Sequence, residues 1–153
     1  MQTKSLRILA ALVLAVATVA QAQTVQISEP WVRATVPQQK ATGAFMRLTA
    51  ASDMRLVEVS SPQAGIVEIH EMAMVKDVMK MRAVDGLSLP AGKMVELKPG
   101  GYHVMLMDLK AQVKEGDTVP INLVVQSPDG KRHNMEIKAV AKALNTPAHG
   151  MKH

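Results

Sequence analysis

The chain has 153 residues, of which 48% are hydrophobic and 20% are charged, a balance typical of one globular domain. It contains no cysteine, so disulfides, zinc-thiolate sites, iron–sulfur clusters and cysteine nucleophiles are excluded for these residues. Methionine is frequent, with 12 residues, whereas Phe, Trp and Tyr occur once each. The formal net charge of +5 includes an N-terminal segment that has to be assessed first.

The first 22 residues have the pattern of a bacterial export signal. Lys4 and Arg7 precede an apolar stretch from about residue 8 to residue 20, and Ala-Gln-Ala at 20–22 has the small-x-small pattern of signal-peptidase sites. A membrane-spanning helix needs about 20 apolar residues, which is more than this stretch provides. We therefore predict a signal peptide over residues 1–22, cleavage after Ala22, a periplasmic location and no stable membrane insertion after cleavage.

The charge that remains after cleavage is modest. Loss of Lys4 and Arg7 leaves 16 basic and 13 acidic residues, a net charge of +3. The remaining Lys and Arg residues are scattered and have almost no aromatic residues among them for base stacking. We therefore expect no nucleic-acid partner.

After residue 22, apolar and polar residues alternate in short segments, a pattern typical of half-buried β-strands. The predicted strands are, in chain order, 24–27, 31–35, 44–49, 55–59, 66–75, 78–84, 94–97, 102–109, 119–125 and 135–139. Turn-forming sequences separate them, including Glu29-Pro30, Asp85-Gly86 and Pro99-Gly100-Gly101. A turn signal about every 8 to 12 residues predicts an antiparallel β-sandwich or a Greek-key β-barrel.

The end of the chain differs from the rest. Residues 140–144 fit either a strand end or a helical turn, and residues 145–153 have no apolar periodicity. No internal repeat or linker divides the region before them. We predict one β domain over residues 23–144 and a flexible tail over residues 145–153.

Three methionines stand apart from any histidine in the sequence. Met46, Met54 and Met94 are predicted to be core residues, because the unbranched thioether fills irregular gaps. Trp31 is also expected to bury its ring in the core. His133 and Met135 are interpreted as an exposed pair on a strand rich in Lys and Arg.

Six other methionines cluster near two histidines, an arrangement that core packing does not require. Residues i and i+2 of a strand share a face, so each histidine has thioethers beside it. A turn at Lys76-Asp77 would fold the following segment back alongside the first strand, so three segments can converge. The clustered residues are His70 with Met72, Met74, Met79 and Met81, and His103 with Met105 and Met107.

The chemistry of these donors favours one metal. Imidazole nitrogen and thioether sulfur are borderline and soft ligands, and two of each suit tetrahedral Cu(I). Zinc prefers thiolate, imidazole and carboxylate, and calcium or magnesium require oxygen. A blue-copper electron carrier is excluded because its copper is bound by a cysteine thiolate.

The spacing of four of these residues matches a known signature. His70, Met81, His103 and Met105 are separated by ten, twenty-one and one residues. This is the His-x10-Met-x21-His-x-Met signature of the periplasmic PCu(A)C copper chaperones, which the chain resembles over about residues 26–140. Further similar stretches are Pro-Trp-Val-Arg-Ala at 30–34, Thr-Gly-Ala-Phe-Met at 42–46, His-Glu-Met-Ala-Met at 70–74 and Lys-Pro-Gly-Gly-Tyr-His-Val-Met-Leu-Met at 98–107.

The resemblance implies a fold and a function. It implies a single-domain, cupredoxin-like β-barrel that holds Cu(I) through His70, Met81, His103 and Met105. It also implies delivery of copper to the CuA centre or another copper site of a respiratory terminal oxidase, or to another periplasmic copper carrier. The alternative is a sequestration or resistance protein that uses the same site without a dedicated partner. No nucleophile elbow, His-Glu-x-x-His or phosphate loop is present, so we do not expect an enzyme.

Two groups of residues keep alternative interpretations. Met72, Met74, Met79 and Met107 either pack around the copper site or offer alternate sulfur ligands to copper in transit. His149, Met151 and His153 lie in the tail with the terminal carboxylate. They are either part of an unstructured polar end or a secondary site for Cu(II), which favours imidazole and oxygen ligands.

Overall fold

The computed structural model describes residues 24–143. The predicted signal peptide lies outside the described residues, and so does the predicted tail. The described part contains ten β-strands and no helix, and accordingly no helix long and apolar enough to cross a membrane. The strands are β1 (Val25–Arg33), β2 (Ala41–Ala50), β3 (Met54–Ser60), β4 (Ala64–Val75), β5 (Val78–Ala83), β6 (Leu87–Leu89), β7 (Met94–Leu97), β8 (His103–Leu109), β9 (Thr118–Gln126) and β10 (Arg132–Lys142).

The ten strands form one sheet in the order β5-β4-β8-β2-β1-β10-β9-β3-β6, and β7 also pairs with β2. All strand pairs are antiparallel except β1 with β10. Strands that are distant in sequence lie side by side, as in a Greek-key arrangement. The predicted all-β architecture is confirmed.

The core lies on the inner face of this curved sheet. Alternation along β8 sends Val104 and Leu106 inwards, and both are fully buried in a single hydrophobic cluster. Met46 and Met54 belong to this cluster, so their predicted core position is confirmed. The prediction for Met94 is wrong, since this side chain is 52% exposed.

The strand to which Met94 belongs explains its exposure. In β7, Leu97 is buried in the core and Val95 packs against it. The alternation of the strand therefore turns Met94 to the opposite side, towards solvent. Hydrophobic type alone does not decide burial when the strand has only four residues.

The strands differ from the sequence prediction in three main respects. β1 continues through Glu29-Pro30, because a bulge with Glu29 at φ 51° absorbs the irregularity without ending the strand. β6 has no counterpart among the predicted strands, since three residues are too few for a periodic pattern. β10 extends to Lys142, which resolves the start of the ambiguous segment 140–144 as a strand end.

Candidate metal centre

The strand register places both histidine–methionine sets on one face of the sheet. β4 pairs with β8 so that His70 lies opposite His103, and β4 pairs with β5 so that Met72 lies opposite Met81. Cross-strand partners project to the same side, and Met105 follows His103 by two residues. His70, Met81, His103 and Met105 therefore share one face across three neighbouring strands.

That face is the outer one. Val104 and Leu106 alternate with His103 and Met105 along β8 and enter the core. The candidate ligands consequently point away from the core, towards the side from which a metal ion or a partner can approach.

The turn between β4 and β5 brings Met81 into this group. Lys76 and Asp77 have φ values of 49° and 61°, as the two central residues of a type I′ turn require. The register across this turn is continuous, from Val75 opposite Val78 back to His70 opposite Ala83. The predicted turn at Lys76-Asp77 is confirmed.

Each histidine uses one ring nitrogen in a hydrogen bond. His70 Nε2 donates to Glu68 Oε2 at 2.8 Å, and His103 Nδ1 donates to the carbonyl oxygen of Gly101 at 3.0 Å. Both acceptors fix the proton on the bonded nitrogen, because a carboxylate or a carbonyl oxygen can only accept. The other nitrogen of each neutral ring carries a free lone pair.

The two remaining nitrogens have no partner within residues 24–143. His70 Nδ1 and His103 Nε2 are both buried and form no hydrogen bond there. Buried polar atoms are normally paired, because an unpaired one loses its solvation without compensation. Two such nitrogens on adjacent rings are what a pair of metal ligands requires.

The spacing of the rings fits a shared metal ion. The ring centres of His70 and His103 are 5.8 Å apart and their planes are inclined by 56°. A metal about 2 Å from each nitrogen places the two ring centres roughly 5 to 6.5 Å apart, depending on the angle at the metal. The observed separation lies within this range.

The environment of His103 favours its neutral form. The side chain is buried, and this burial is the main cause that lowers the pKa of His103 below its ordinary value. The hydrogen bond to Gly101 acts in the opposite direction, and the neighbouring His70 lowers the pKa further. A neutral imidazole can donate its lone pair to a metal, whereas a protonated one cannot.

Two aromatic rings support His103 from the side of β1 and β2. Phe45 lies 6.3 Å from His103 between ring centres, and Trp31 stacks on Phe45 at 4.5 Å. Trp31 is buried but is not part of the main core cluster. The predicted burial of the Trp31 ring is confirmed, and its pairing with Phe45 across β1 and β2 places it beside the metal centre.

A cleft of about 280 Å³ opens beside His103. Its walls include His103, Met105, Met81, Met72 and Gly43. His70 does not line the cleft, but its ring lies next to that of His103. Gly43 lies opposite Met105 in the register and leaves this wall open. A Cβ atom at Gly43 would lie 2.9 Å from Cζ of Phe45, so glycine is the residue that fits there.

The structure adds residues that sequence reasoning missed. Glu68 and the carbonyl of Gly101 orient the two histidines, and Phe45 and Gly43 shape the cleft. Glu68 could have been found, because it precedes His70 by two residues and so shares its face. The contribution of Gly101 is a backbone oxygen, for which side-chain patterns carry no signal.

His133 and Met135 lie on β10, outside this centre. Met135 packs against the main core and His133 is partly buried, so the description of this pair as exposed is wrong. His149, Met151 and His153 lie outside the described residues. Within residues 24–143, no group of three or more His, Asp or Glu side chains could hold a metal, so thioethers have to complete any site at the histidines.

Comparison with known proteins identifies the family. A family model described as "Putative lipoprotein LpqE-like" matches residues 25–139. The chain belongs to this family, the PCu(A)C domains. The resemblance found in the four-residue signature is thereby confirmed.

Solved structures of PCu(A)C domains have the same cupredoxin-like β fold. The solution structure of Cu(I)-DR1885 from Deinococcus radiodurans is 32% identical, with a TM-score of 0.57, and the match covers 80% of this chain and 81% of that one. Apo-DR1885 is 29% identical, with a TM-score of 0.59 and coverage of 94% and 96%. The copper-bound PCuAC domain from PmoF2 is 25% identical, with a TM-score of 0.62 and coverage of 78% and 93%.

Two curated relatives are similar at the level of sequence. "Putative lipoprotein Lxx21020" of Leifsonia xyli subsp. xyli is 33% identical over 104 residues, which is 67% of this chain and 63% of the relative. "Uncharacterized protein RP573" of Rickettsia prowazekii is 32% identical over 119 residues, or 74% of this chain and 66% of the relative. The chain thus matches slightly less than two thirds of either relative's length.

Proposed function

We propose that this chain is an exported metallochaperone that carries Cu(I) in the periplasm and delivers it to a copper site of a respiratory terminal oxidase, CuA or similar. One Cu(I) is held by His70, Met81, His103 and Met105. The observation that carries the proposal is the pair of buried, unpaired nitrogens His70 Nδ1 and His103 Nε2 on rings 5.8 Å apart.

The thioethers make the centre selective for a soft ion. Met105 shares the cleft with His103, and Met81 reaches the same cleft from β5. Two neutral nitrogens and two neutral sulfurs complete a tetrahedral shell for Cu(I), whereas Zn²⁺ would lack the thiolate or carboxylate ligands that it prefers. The full shell leaves no open position for a substrate, which supports a carrier rather than an enzyme.

The same donors support release of the ion. Thioether and imidazole are weaker ligands for Cu(I) than thiolate, so an acceptor with thiolates has the stronger claim. Met81 is 48% exposed at the surface of the cleft, where an acceptor can displace it first. A carrier without cysteine also avoids disulfide formation in an oxidising compartment.

The relatives support copper and export. The Cu(I) form of DR1885 and the copper-bound domain of PmoF2 are PCu(A)C proteins with copper. A relative named as a lipoprotein is consistent with an exported protein, as is the signal-like segment over residues 1–22.

The ligands can be tested by X-ray absorption at the copper edge on protein loaded with one equivalent of Cu(I). We expect one copper with two nitrogen and two sulfur neighbours, and Met81→Leu should remove one sulfur and weaken binding. Met94→Leu is the matched control, because Met94 is similarly exposed but lies on β7. A spectrum with only nitrogen and oxygen neighbours would refute the assignment.

Delivery needs a separate test in cells. We expect a deletion strain to contain a smaller amount of active terminal oxidase than wild type. Added copper should restore part of the oxidase activity. Variants in which one of the four copper ligands is replaced should fail to complement the deletion. Reduced copper tolerance with normal oxidase assembly would instead indicate a sequestration protein.

A further inference from the structure

The hairpin of β4 and β5 carries more methionines than the four-ligand centre uses. Met72 lies opposite Met81, and Met74 lies opposite Met79 one step closer to the turn. Met72 and Met74 follow His70 by two and four residues, so they share its face. Their cross-strand partners Met81 and Met79 project to the same side, which places all four thioethers on the face of the histidines. They form a continuous row from the turn to the metal centre, called here the thioether row.

The geometry of the hairpin brings the members of each pair close together. The turn has two residues, so Val75 and Val78, which flank it, form the hydrogen-bonded closing pair. Successive antiparallel pairs alternate, which makes Met74–Met79 and Met72–Met81 both non-hydrogen-bonded pairs. In such pairs the Cα atoms are only about 4.5 Å apart and the side chains are closest.

Packing does not account for the outer part of this row. Met74 is 63% exposed and Met79 is 48% exposed. Strand β5 is the last strand at this edge of the sheet, and all six of its residues are exposed. Neither methionine belongs to the buried core cluster.

We propose that Met74 and Met79, with Met72 as a third ligand, form an outer Cu(I) site at the tip of the hairpin. The flexible thioether side chains span the distance of about 7 to 8 Å between diagonal neighbours of adjacent pairs. Thioether ligands select Cu(I) over harder ions, and a site without imidazole binds it more weakly than the four-ligand centre.

The outer site gives copper a path to and from the four-ligand centre, and this role rests on the proposed function. Met81 lies opposite Met72, so one thioether of each site is adjacent to one of the other. The ion moves by exchange of neutral sulfur ligands along the row and remains Cu(I) throughout. No proton or electron has to be transferred.

The site can be tested with Cu(I) itself under anaerobic, reducing conditions. In the double variant His70→Ala/His103→Ala we expect one weakly bound Cu(I) with only sulfur neighbours in the absorption spectrum. Adding Met74→Leu and Met79→Leu should abolish it, whereas adding Met94→Leu should not. Circular dichroism checks that each variant is folded. The proposal would be overturned if sulfur-bound copper remains after Met74→Leu and Met79→Leu are added. It would also be overturned if the double histidine variant binds no sulfur-bound copper.

A kinetic measurement tests the path. Met74→Leu/Met79→Leu in the otherwise intact chain should leave the equilibrium affinity of the four-ligand centre unchanged but slow Cu(I) transfer to a coloured chelator several-fold. Unchanged transfer rates would refute the path. If the wild-type chain binds no copper through nitrogen and sulfur, the proposed function is refuted. The outer site is decided by a different result, which is whether the double histidine variant binds copper through sulfur alone.

Discussion

His70 on β4 and His103 on β8 are direct cross-strand partners whose ring centres lie 5.8 Å apart. Each ring donates one N–H to an oxygen of a residue two positions before it in the chain, Glu68 or Gly101. The two free nitrogens are thereby oriented before any metal binds. Orientation by such outer partners reduces the cost of assembling a metal site.

Glu68→Ala should weaken Cu(I) binding, because His70 loses the acceptor that fixes its proton on Nε2. Loss of such a partner typically costs about 10-fold to 100-fold in metal affinity. Glu68→Gln should retain much of the affinity, since its amide oxygen can still accept. Competition titration with a Cu(I) chelator measures both variants.

Glu58→Ala provides the control for this prediction. Glu58 is an exposed carboxylate on β3 that pairs with Arg132 at 3.6 Å and does not line the cleft beside His103. Its removal should leave Cu(I) affinity unchanged. Equal affinities for wild type and Glu68→Ala would show that Glu68 does not orient His70.

Copper should be released at a lower pH than the pKa of free imidazole would suggest. Burial holds the pKa of His103 below its ordinary value, so this ligand takes up its proton at a lower pH than a free histidine, which does so in the region of about 6.5. Cu(I) affinity measured from pH 8 to pH 4 should fall only below that region. A steep loss that begins above pH 6.5 would contradict the prediction.

The same shift affects the metal-free protein. Because the folded-state pKa of His103 lies below the unfolded one, the unfolded chain binds the proton more readily. This contribution to stability is therefore present above about pH 6.5 and is lost as the pH falls towards the folded-state pKa. Urea unfolding at several pH values should show the trend, and His103→Leu should reduce it.

Gly43→Ala should damage the cleft. The added Cβ would lie 2.9 Å from Cζ of Phe45, a ring that is held between Trp31 and His103. Such overpacking typically costs about 1 to 3 kcal/mol of stability. We expect a lower thermal midpoint together with weaker Cu(I) binding.

Gly101→Ala is the matched control for Gly43→Ala. A Cβ at Gly101 would meet Lys98 at an ordinary 3.5 Å, and the carbonyl that accepts from His103 is retained. Its stability and copper affinity should stay close to wild type. If both glycine variants behave alike, the contact with Phe45 is not the cause.

Asp77→Gly should stabilise the hairpin that carries Met81. Asp77 has φ 61°, a conformation that glycine adopts without steric cost and that type I′ turns favour at this position. The greater freedom of glycine in the unfolded chain offsets part of the gain, so we expect less than about 1 kcal/mol. Urea unfolding measures the difference.

The comparison for Asp77→Gly is Asp85→Gly. Asp85 is exposed in a loop and is not among the residues with positive φ. Glycine there only increases the entropy of the unfolded chain, so this variant should be less stable than wild type. A loss of stability in Asp77→Gly would mean that the αL conformation of Asp77 is not strained.

Truncation after Asn145 tests the predicted tail site. If His149, Met151 and His153 bind Cu(II), the truncated chain should lose a second, weaker copper while the Cu(I) held at His70 and His103 remains. Electron paramagnetic resonance detects Cu(II) selectively. The same signal from full-length and truncated protein would show that the tail binds no copper.

The strands and the donor types can be predicted from the sequence alone. Alternation of apolar and polar residues located most strands, because each strand has one buried face and its side chains repeat every two residues. The absence of cysteine and the grouping of methionine with histidine indicated Cu(I), because ligand softness is a property of residue type. The spacing from His70 to Met105 was sufficient to indicate the family.

Which atoms meet at the metal centre depends on the tertiary fold. The register of β4 with β8 and β5 depends on pairing between strands, and a shift of one residue would send His70 and Met81 to opposite faces. The exposure of Met94 and the position of Trp31 beside the metal centre likewise follow from the neighbours of their strands, not from their hydrophobicity. The free nitrogens of His70 and His103 are defined by hydrogen bonds to a side chain and a backbone carbonyl, which are contacts in space that no residue pattern specifies.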